Sequence, residues 1–124
     1  MFKENIVDQN RHRQSHQTNL IADPGNLGAI PVNQGSGVVP VTTAAAETRT
    51  LAIPKFLGQR LEIICDVYVG DATITVASAI NQTGNNTITL GAAAGFIVLV
   101  ASQLAGVLVW RVAANDGAPC STVM

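Results

Sequence analysis

Two histidines four residues apart, His12 and His16, are the side chains of this chain best suited to binding a metal. On one face of a helix such a pair could bind zinc, which accepts imidazole nitrogens as ligands. No third ligand is obvious, and the polar residues around the pair favour a solvated segment over a stable helix. We therefore expect no metal site and no cofactor.

Carboxylates are the next candidates for chemistry, and they fall at predicted strand edges and turns: Glu62, Asp66, Asp71 and Asp116. A glycosidase needs two carboxylates placed across a cleft, and no spacing here selects a pair. Both histidines lie near the amino terminus, which argues against a Ser-His-Asp triad. The glycine-rich stretches lack the lysine and helix that follow a phosphate-binding loop. We predict that the protein is not an enzyme.

The chain of 124 residues carries little charge. Charged residues make up 12% of it and the net charge is −1, whereas soluble domains average about 25% charged residues. No basic excess is present to neutralise phosphates, so nucleic acid is not an expected partner. A surface so poor in charge indicates that other protein subunits cover much of it.

The segment Leu90–Trp110 contains no charged residue and has the length of a membrane-spanning helix. It is rich in β-branched residues, which favour strands, and it contains several glycines. Its middle, from Ser102 to Gly106, has the composition of a turn between two strands. We expect two β-strands here and no membrane span.

Residues 1–40 are predicted to form an extended arm and linker. Residues 1–21 carry few large apolar side chains, too few to offset the entropy of ordering the segment, and residues 22–40 are rich in turn-forming glycine and proline. Val38, Val39 and Val41 could begin a strand, which Pro40 would confine to a sheet edge because it lacks a backbone N–H. We expect the arm to bind a partner protein through Phe2, Ile6, Val7, Arg11, Arg13, Leu20 and Ile21.

Residues 41–117 are predicted to form a β body, followed by a C-terminal tail at 118–124. Apolar and polar residues alternate most clearly in Arg60–Val69, which is typical of a strand with one buried face. The inward residues predicted for it are Leu61, Ile63, Cys65, Val67 and Val69. The other predicted strands are 48–53, 72–77, 87–90, 96–101 and 107–113. Short strands separated by turns indicate an all-β fold, a small sandwich or a jelly-roll-like body.

The last two predicted strands are apolar on both faces, unlike the earlier ones. One face of each packs in the domain core, and the other needs cover from another subunit, from its arm, or from loops of the same chain. We predict an oligomer interface here. Its residues are Phe96, Val98, Val100, Val107 and Val109. Trp110 is expected in the core or in this interface.

Three short stretches of the chain resemble a known class of virus proteins. They are Gly58-Gln59-Arg60-Leu61, the run from Ala79-Ile80-Asn81-Gln82 to Thr87-Ile88-Thr89, and the run from Leu108-Val109-Trp110-Arg111 to Asp116-Gly117. Together they resemble small bacteriophage virion proteins of the capsid decoration, or cement, type. The resemblance implies a jelly-roll-like body, a trimer seated on the capsid shell and no enzymatic activity.

We therefore predict a structural virion protein on the outer capsid surface, which links neighbouring capsid subunits. Its partners would be the major capsid protein and its own copies in a homotrimer. An alternative is a fibre-base or host-recognition module of the same β class, which would need an exposed site built on Tyr68 or Trp110. A third hypothesis, a membrane-associated protein, would require helix in place of strand at 90–110.

Overall fold

The computed structural model describes residues 19–122, and these form ten β-strands in two five-stranded sheets. The strands are β1 (Asn19–Leu20), β2 (Gly28–Ile30), β3 (Gly37–Thr42), β4 (Glu47–Leu51), β5 (Arg60–Val67), β6 (Ala72–Val76), β7 (Thr87–Leu90), β8 (Phe96–Leu104), β9 (Val107–Asp116) and β10 (Cys120–Ser121). The all-β prediction is confirmed for this part of the chain. The six predicted strands all form, with bounds shifted by a few residues.

The chain passes back and forth between the two sheets. The first sheet has the order β1-β3-β5-β8-β9 and the second the order β10-β7-β6-β4-β2. Strands β1, β3 and β5 pair in parallel, as do β2, β4 and β6. The first six strands therefore make three successive coils, each consisting of one strand in the first sheet and the next strand in the second: β1 with β2, β3 with β4, and β5 with β6. The last four strands complete the sheets with antiparallel pairs. The jelly-roll-like form is not confirmed, because jelly rolls are built from antiparallel strands.

One apolar core lies between the sheets, as in a sandwich. Alternation of side chains puts every second residue of a strand on the inner face, and β6 shows this with Ala72, Ile74 and Val76 buried. Trp110 is fully buried in the same core, as predicted for one of its two expected positions. The remaining buried residues come from both sheets and include Val39, Val41, Leu51, Leu61, Ile63, Cys65, Ile88, Leu90, Ile97 and Leu99.

Residues 19–40 belong to the body, which differs from the predicted arm and linker with its boundary at residue 40. They supply β1, β2 and most of β3. Ile21, predicted to contact a partner, is fully buried in the core of its own chain. A Cβ on Gly37 would overlap the side chain of Ile21, so glycine allows this close approach. For residues 19–40 the prediction is wrong, because Ile21 and Ile30 bury their side chains against later strands; residues 1–18 lie outside the described part of the chain.

The alternation in Arg60–Val69 ends earlier than its sequence indicates. Val67 and Val69 are exposed, although both were predicted to face inward. The register between β3 and β5 shifts after the pair Val41 and Cys65, so that Thr42 pairs with Val67 and Asp66 is left over. An extra residue in one strand reverses which face its later side chains occupy.

The prediction that Pro40 confines its strand to a sheet edge is wrong, because β3 lies between β1 and β5. On one side β3 pairs with β5 along its length, and on the other β1 pairs only with Gly37 and Val38. Pro40 lies past the end of β1, so no neighbouring strand requires the N–H that it lacks.

The loops gather at two opposite ends of the sandwich. We call the end formed by residues 31–36, 52–59, 77–86 and 105–106 the basal end. The end formed by residues 21–27, 43–46, 68–71, 91–95 and 117–119 is the apical end. This division follows from the strand directions, since consecutive strands run oppositely between the ends.

A buried ion pair at the apical end joins the first coil to the second. The Arg49 side chain is fully buried, and its Nε and Nη2 donate to the two carboxylate oxygens of Asp23 at 2.6 and 2.9 Å. Nη2 also donates to the Thr42 carbonyl and lies 3.0 Å from the Glu47 carboxylate. Asp23 accepts further hydrogen bonds from the N–H groups of Thr42 and Gly25. The charges on Asp23 and Glu47 compensate for the burial of the guanidinium.

Removing one member of this ion pair is expected to destabilise the fold. In Arg49→Met the carboxylate of Asp23 keeps its partly buried position without its partner, and the expected cost is about 3 kcal/mol. The double variant Asp23→Asn with Arg49→Met should recover part of that cost, because it buries no unpaired charge. Urea unfolding followed by circular dichroism measures all three proteins. Equal stability of Arg49→Met and the parent would contradict this account.

Acid should weaken the same contact. Burial raises the pKa of Asp23, but the hydrogen bonds from Arg49, Thr42 and Gly25 and the charge of Arg49 outweigh it, so the pKa lies below its ordinary value of 3.8. A carboxyl whose pKa is lower in the folded state contributes stability above pH 3.8 that is lost as the pH falls through the folded pKa.

The expected result is a loss of stability between about pH 5 and pH 2 that is smaller in Asp23→Asn than in the parent protein. Urea midpoints measured across this range check it, with Asp71→Asn, at an exposed position, as the control. Identical pH profiles for the parent and Asp23→Asn would rule out a contribution from Asp23.

Candidate interaction surface

The outer face of the first sheet is largely aliphatic. Cross-strand register aligns its residues in rows: Val38, Glu62 and Val98 form one row, and Pro40, Ile64 and Phe96 form the next. Val100 follows on the same face, between Arg60 and Arg111. Water solvates such side chains poorly, and an aliphatic outer face in a sheet marks a surface for contact with protein.

The outer face of the second sheet has the opposite character. Three neighbouring strands, β4, β6 and β7, each present two threonines on it, and the pairing aligns them across the sheet. The two rows are Thr48-Thr73-Thr89 and Thr50-Thr75-Thr87. Threonine is well suited to a strand and carries a hydroxyl that water can solvate, and all of these threonines except Thr87, which is 6% exposed, retain accessible surface. Of the two outer faces, the first sheet's is therefore the candidate for binding.

The five residues predicted for an oligomer interface differ in how much surface they retain. Val98 and Val109 are only 2% and 6% exposed in the single chain, so they can contribute little new burial. Phe96 and Val100 are half-buried. Val107 lies at the tip of the β8–β9 hairpin and is 55% exposed. Contact with a partner would thus depend mainly on Phe96, Val100 and Val107.

Most residues predicted to bind partners through the arm lie outside the described residues: Phe2, Ile6, Val7, Arg11 and Arg13, together with His12 and His16. Of the two that the structure describes, Ile21 is in the core and Leu20 is 77% exposed on the edge strand β1. Leu20 therefore remains available to a partner, and Ile21 does not.

The aromatic residues bear on the host-recognition alternative. The indole N–H of Trp110 donates to the carbonyl oxygen of Ala52 at 2.8 Å and its ring is fully buried, so no ligand can stack on it. Tyr68 is exposed and donates to the carboxylate of Asp71 at 2.7 Å; this hydrogen bond raises the pKa of Tyr68. A recognition site would have to use Tyr68 without Trp110.

The groups able to do chemistry are dispersed. Within residues 19–122, no three side chains of His, Cys, Asp or Glu are placed to hold a metal ion. Cys65 is buried and Cys120 half-buried, both are free thiols, and burial raises the pKa of each, which disfavours the reactive thiolate. A depression of about 320 Å³ beside the second sheet is lined by Ala29, Thr50, Leu51, Ala52, Thr75, Val76 and Ala77, none of them titratable.

The uncharged segment Leu90–Trp110 contains the end of β7, the whole of β8 and the first part of β9. In the described part of the chain, no helix is long and apolar enough to cross a membrane.

Comparisons of the chain with protein-family models, with curated proteins and with solved structures find no match.

Polar substitutions on the aliphatic face should weaken self-association without unfolding the chain. We expect Phe96→Ser with Val100→Ser to lower the association constant at least about tenfold, since apolar area buried between subunits is lost. Sedimentation equilibrium measures the mass, and thermal melting checks the fold. The matched control is Thr73→Ser with Thr75→Ser on the opposite face, which should associate like the parent. A parent protein that stays monomeric at every concentration would refute the interface.

Proposed function

We propose that this protein is a structural virion protein that binds the outside of a phage capsid and links neighbouring capsid subunits. The observation that carries the proposal is the difference between its two outer faces. One is lined with threonine hydroxyls suited to water, and the other with aliphatic side chains suited to protein. A small body with one such face functions by being held against other subunits.

The proposed partners are further copies of the chain and the major capsid protein. The low charge content supports extensive contact with neighbours, since 12% of charged residues leaves little surface that requires bulk water. The homotrimer comes from the resemblance to decoration proteins. Phe96, Val100 and Val107 are the residues proposed to contact the neighbouring copy.

The proposed link to the shell is residues 1–18 together with Leu20. Phe2, Ile6 and Val7 would enter apolar pockets on the partner, while Arg11 and Arg13 would pair with its carboxylates. Eighteen residues can span at most about 60 Å, enough to reach an adjacent subunit. Attachment of this kind gains strength when several copies in one oligomer bind at once.

The link can be tested by deletion. The deletion must end before Ile21, because the Ile21 side chain is buried in the core. Removal of residues 1–18 should leave a folded protein that no longer attaches to capsid shells, because the core and β1 are intact. Removal of residues 1–21 should in addition lower stability by about 2–4 kcal/mol, because the Ile21 side chain leaves the core. Urea unfolding and co-sedimentation with purified shells measure the two effects.

Two outcomes would count against the proposal. Normal attachment of the protein without residues 1–18 would remove the arm's role. A few copies per particle, counted by quantitative mass spectrometry of virions, would favour the fibre-base alternative, because a protein that links capsid subunits must be present at many sites.

A further inference from the structure

We propose that the basal end of the body is itself a docking surface for the capsid shell, and that it fits an apolar protein surface rimmed with carboxylates. This inference rests on the proposed function and adds to it a second contact besides residues 1–18. Besides Val107, already proposed to contact a neighbouring copy, four large apolar side chains are exposed at this end: Ile53, Phe56, Leu57 and Leu104.

The first three of these side chains lie on a loop that buried groups hold in place. Gln59 is 1% exposed, and its Nε2 donates to the carbonyl oxygens of Val32 and Gly35 at 2.6 and 3.2 Å. Its Oε1 accepts the Lys55 N–H at 2.7 Å. Trp110 holds the start of the loop through Ala52. A loop fixed in this way loses little conformational entropy when it binds.

Leu104 and Val107 lie beside this loop on the β8–β9 hairpin. β8 pairs with β5 only as far as Arg60 and Val100, whereas its pairing with β9 continues to Leu104 and Val107. Ala101 exchanges hydrogen bonds with Gly58 and Gln59, which holds the hairpin against the loop. Both residues of the hairpin turn have positive φ, as a tight two-residue turn requires. Loop and hairpin thus lie side by side, and both carry exposed apolar side chains.

The charges nearest this surface are positive. Lys55 lies in the loop, and Arg60 and Arg111 flank Val100 in the nearest row of the first sheet. The basal segments 31–36, 52–59, 77–86 and 105–106 contain no Asp or Glu. Glu62 lies one row farther from this end than Arg60, and Asp71 and Asp116 lie toward the apical end. The partner surface that fits the basal end is therefore apolar at its centre and carries carboxylates around its rim.

The start of the described chain lies at the same end. Asn19 pairs with Gly37, the first residue of β3, and Gly37 pairs with Leu61 beside Arg60. Asn19 therefore lies next to the basal surface. Residues 1–18 and the basal surface can act on one partner, and two linked contacts bind far more tightly than either alone.

The test uses the full chain, with capsid shells lacking this protein as the probe. Phe56→Ser with Leu57→Ser should weaken co-sedimentation at least about tenfold, because apolar contact area is lost. Leu27→Ser with Val69→Ser is the matched control, since both residues are exposed at the apical end, and it should bind within about twofold of the parent.

The second variant tests charge. Lys55→Glu with Arg111→Glu should weaken attachment at low salt and reduce its dependence on salt, because salt screens the attraction between the two surfaces. The control is Asp116→Lys at an exposed apical position, which should leave the salt dependence unchanged. Circular dichroism and thermal melting establish that each variant is folded.

Three results would overturn the inference in different ways. If the parent protein does not attach to the shells, the proposed function fails and the inference fails with it. If the parent attaches and both basal variants attach equally well, the basal surface is not a shell contact, while the proposed function stands. If the basal variants attach normally but sedimentation shows a smaller oligomer than the parent forms, the occupant of this surface is a second copy of the chain.

Discussion

The guanidinium of Arg49 lies buried at the apical end of the sandwich, and a buried charge must have partners close by. Asp23 meets that requirement from the first coil and Glu47 from the start of β4. Because Asp23 also accepts the N–H of Thr42, the same carboxylate joins the segment after β1 to the end of β3. The first coil is thus held by electrostatics as well as by the burial of Ile21 and Ile30, and residues 19–40 belong to the body.

The position of the first coil decides how many strands each sheet has and which faces remain outside. With β1 and β2 in place, the two sheets have five strands each and enclose one core. Their two outer faces carry different side chains. The threonine rows occur on the second sheet because β4, β6 and β7 pair in a register that aligns them. The aliphatic rows occur on the first sheet, and its basal edge carries the arginines. A body with one water-suited face, one apolar face and one basic end has a defined orientation for contact with other proteins.

How far the sequence could predict this arrangement depended on the range of the interactions. Alternation within β5, β6 and β7 is local, so the strands and most of their inward residues were predictable. The exposure of Val67 and Val69 was not, because a register shift against β3 decides it. Phe96, Val100 and Val107 were found as surface residues from their apolar strands, but the near-complete burial of Val98 and Val109 was not foreseen. The basal surface was missed, since Ile53, Phe56 and Leu57 lie in a loop with no period; its only signal was three large apolar residues around Pro54 and Lys55.

The sequence by itself determined the β class, the position of the turns and the low charge, because each depends on composition or on neighbours a few residues away. Only the tertiary structure decided that β1, β3 and β5 pair in parallel, that Arg49 is buried against Asp23, and that Gln59 and Trp110 hold the basal loop beside the hairpin. These contacts join residues 18 to 58 positions apart in the chain. Their energies depend on which strands become neighbours, and no local pattern contains that information.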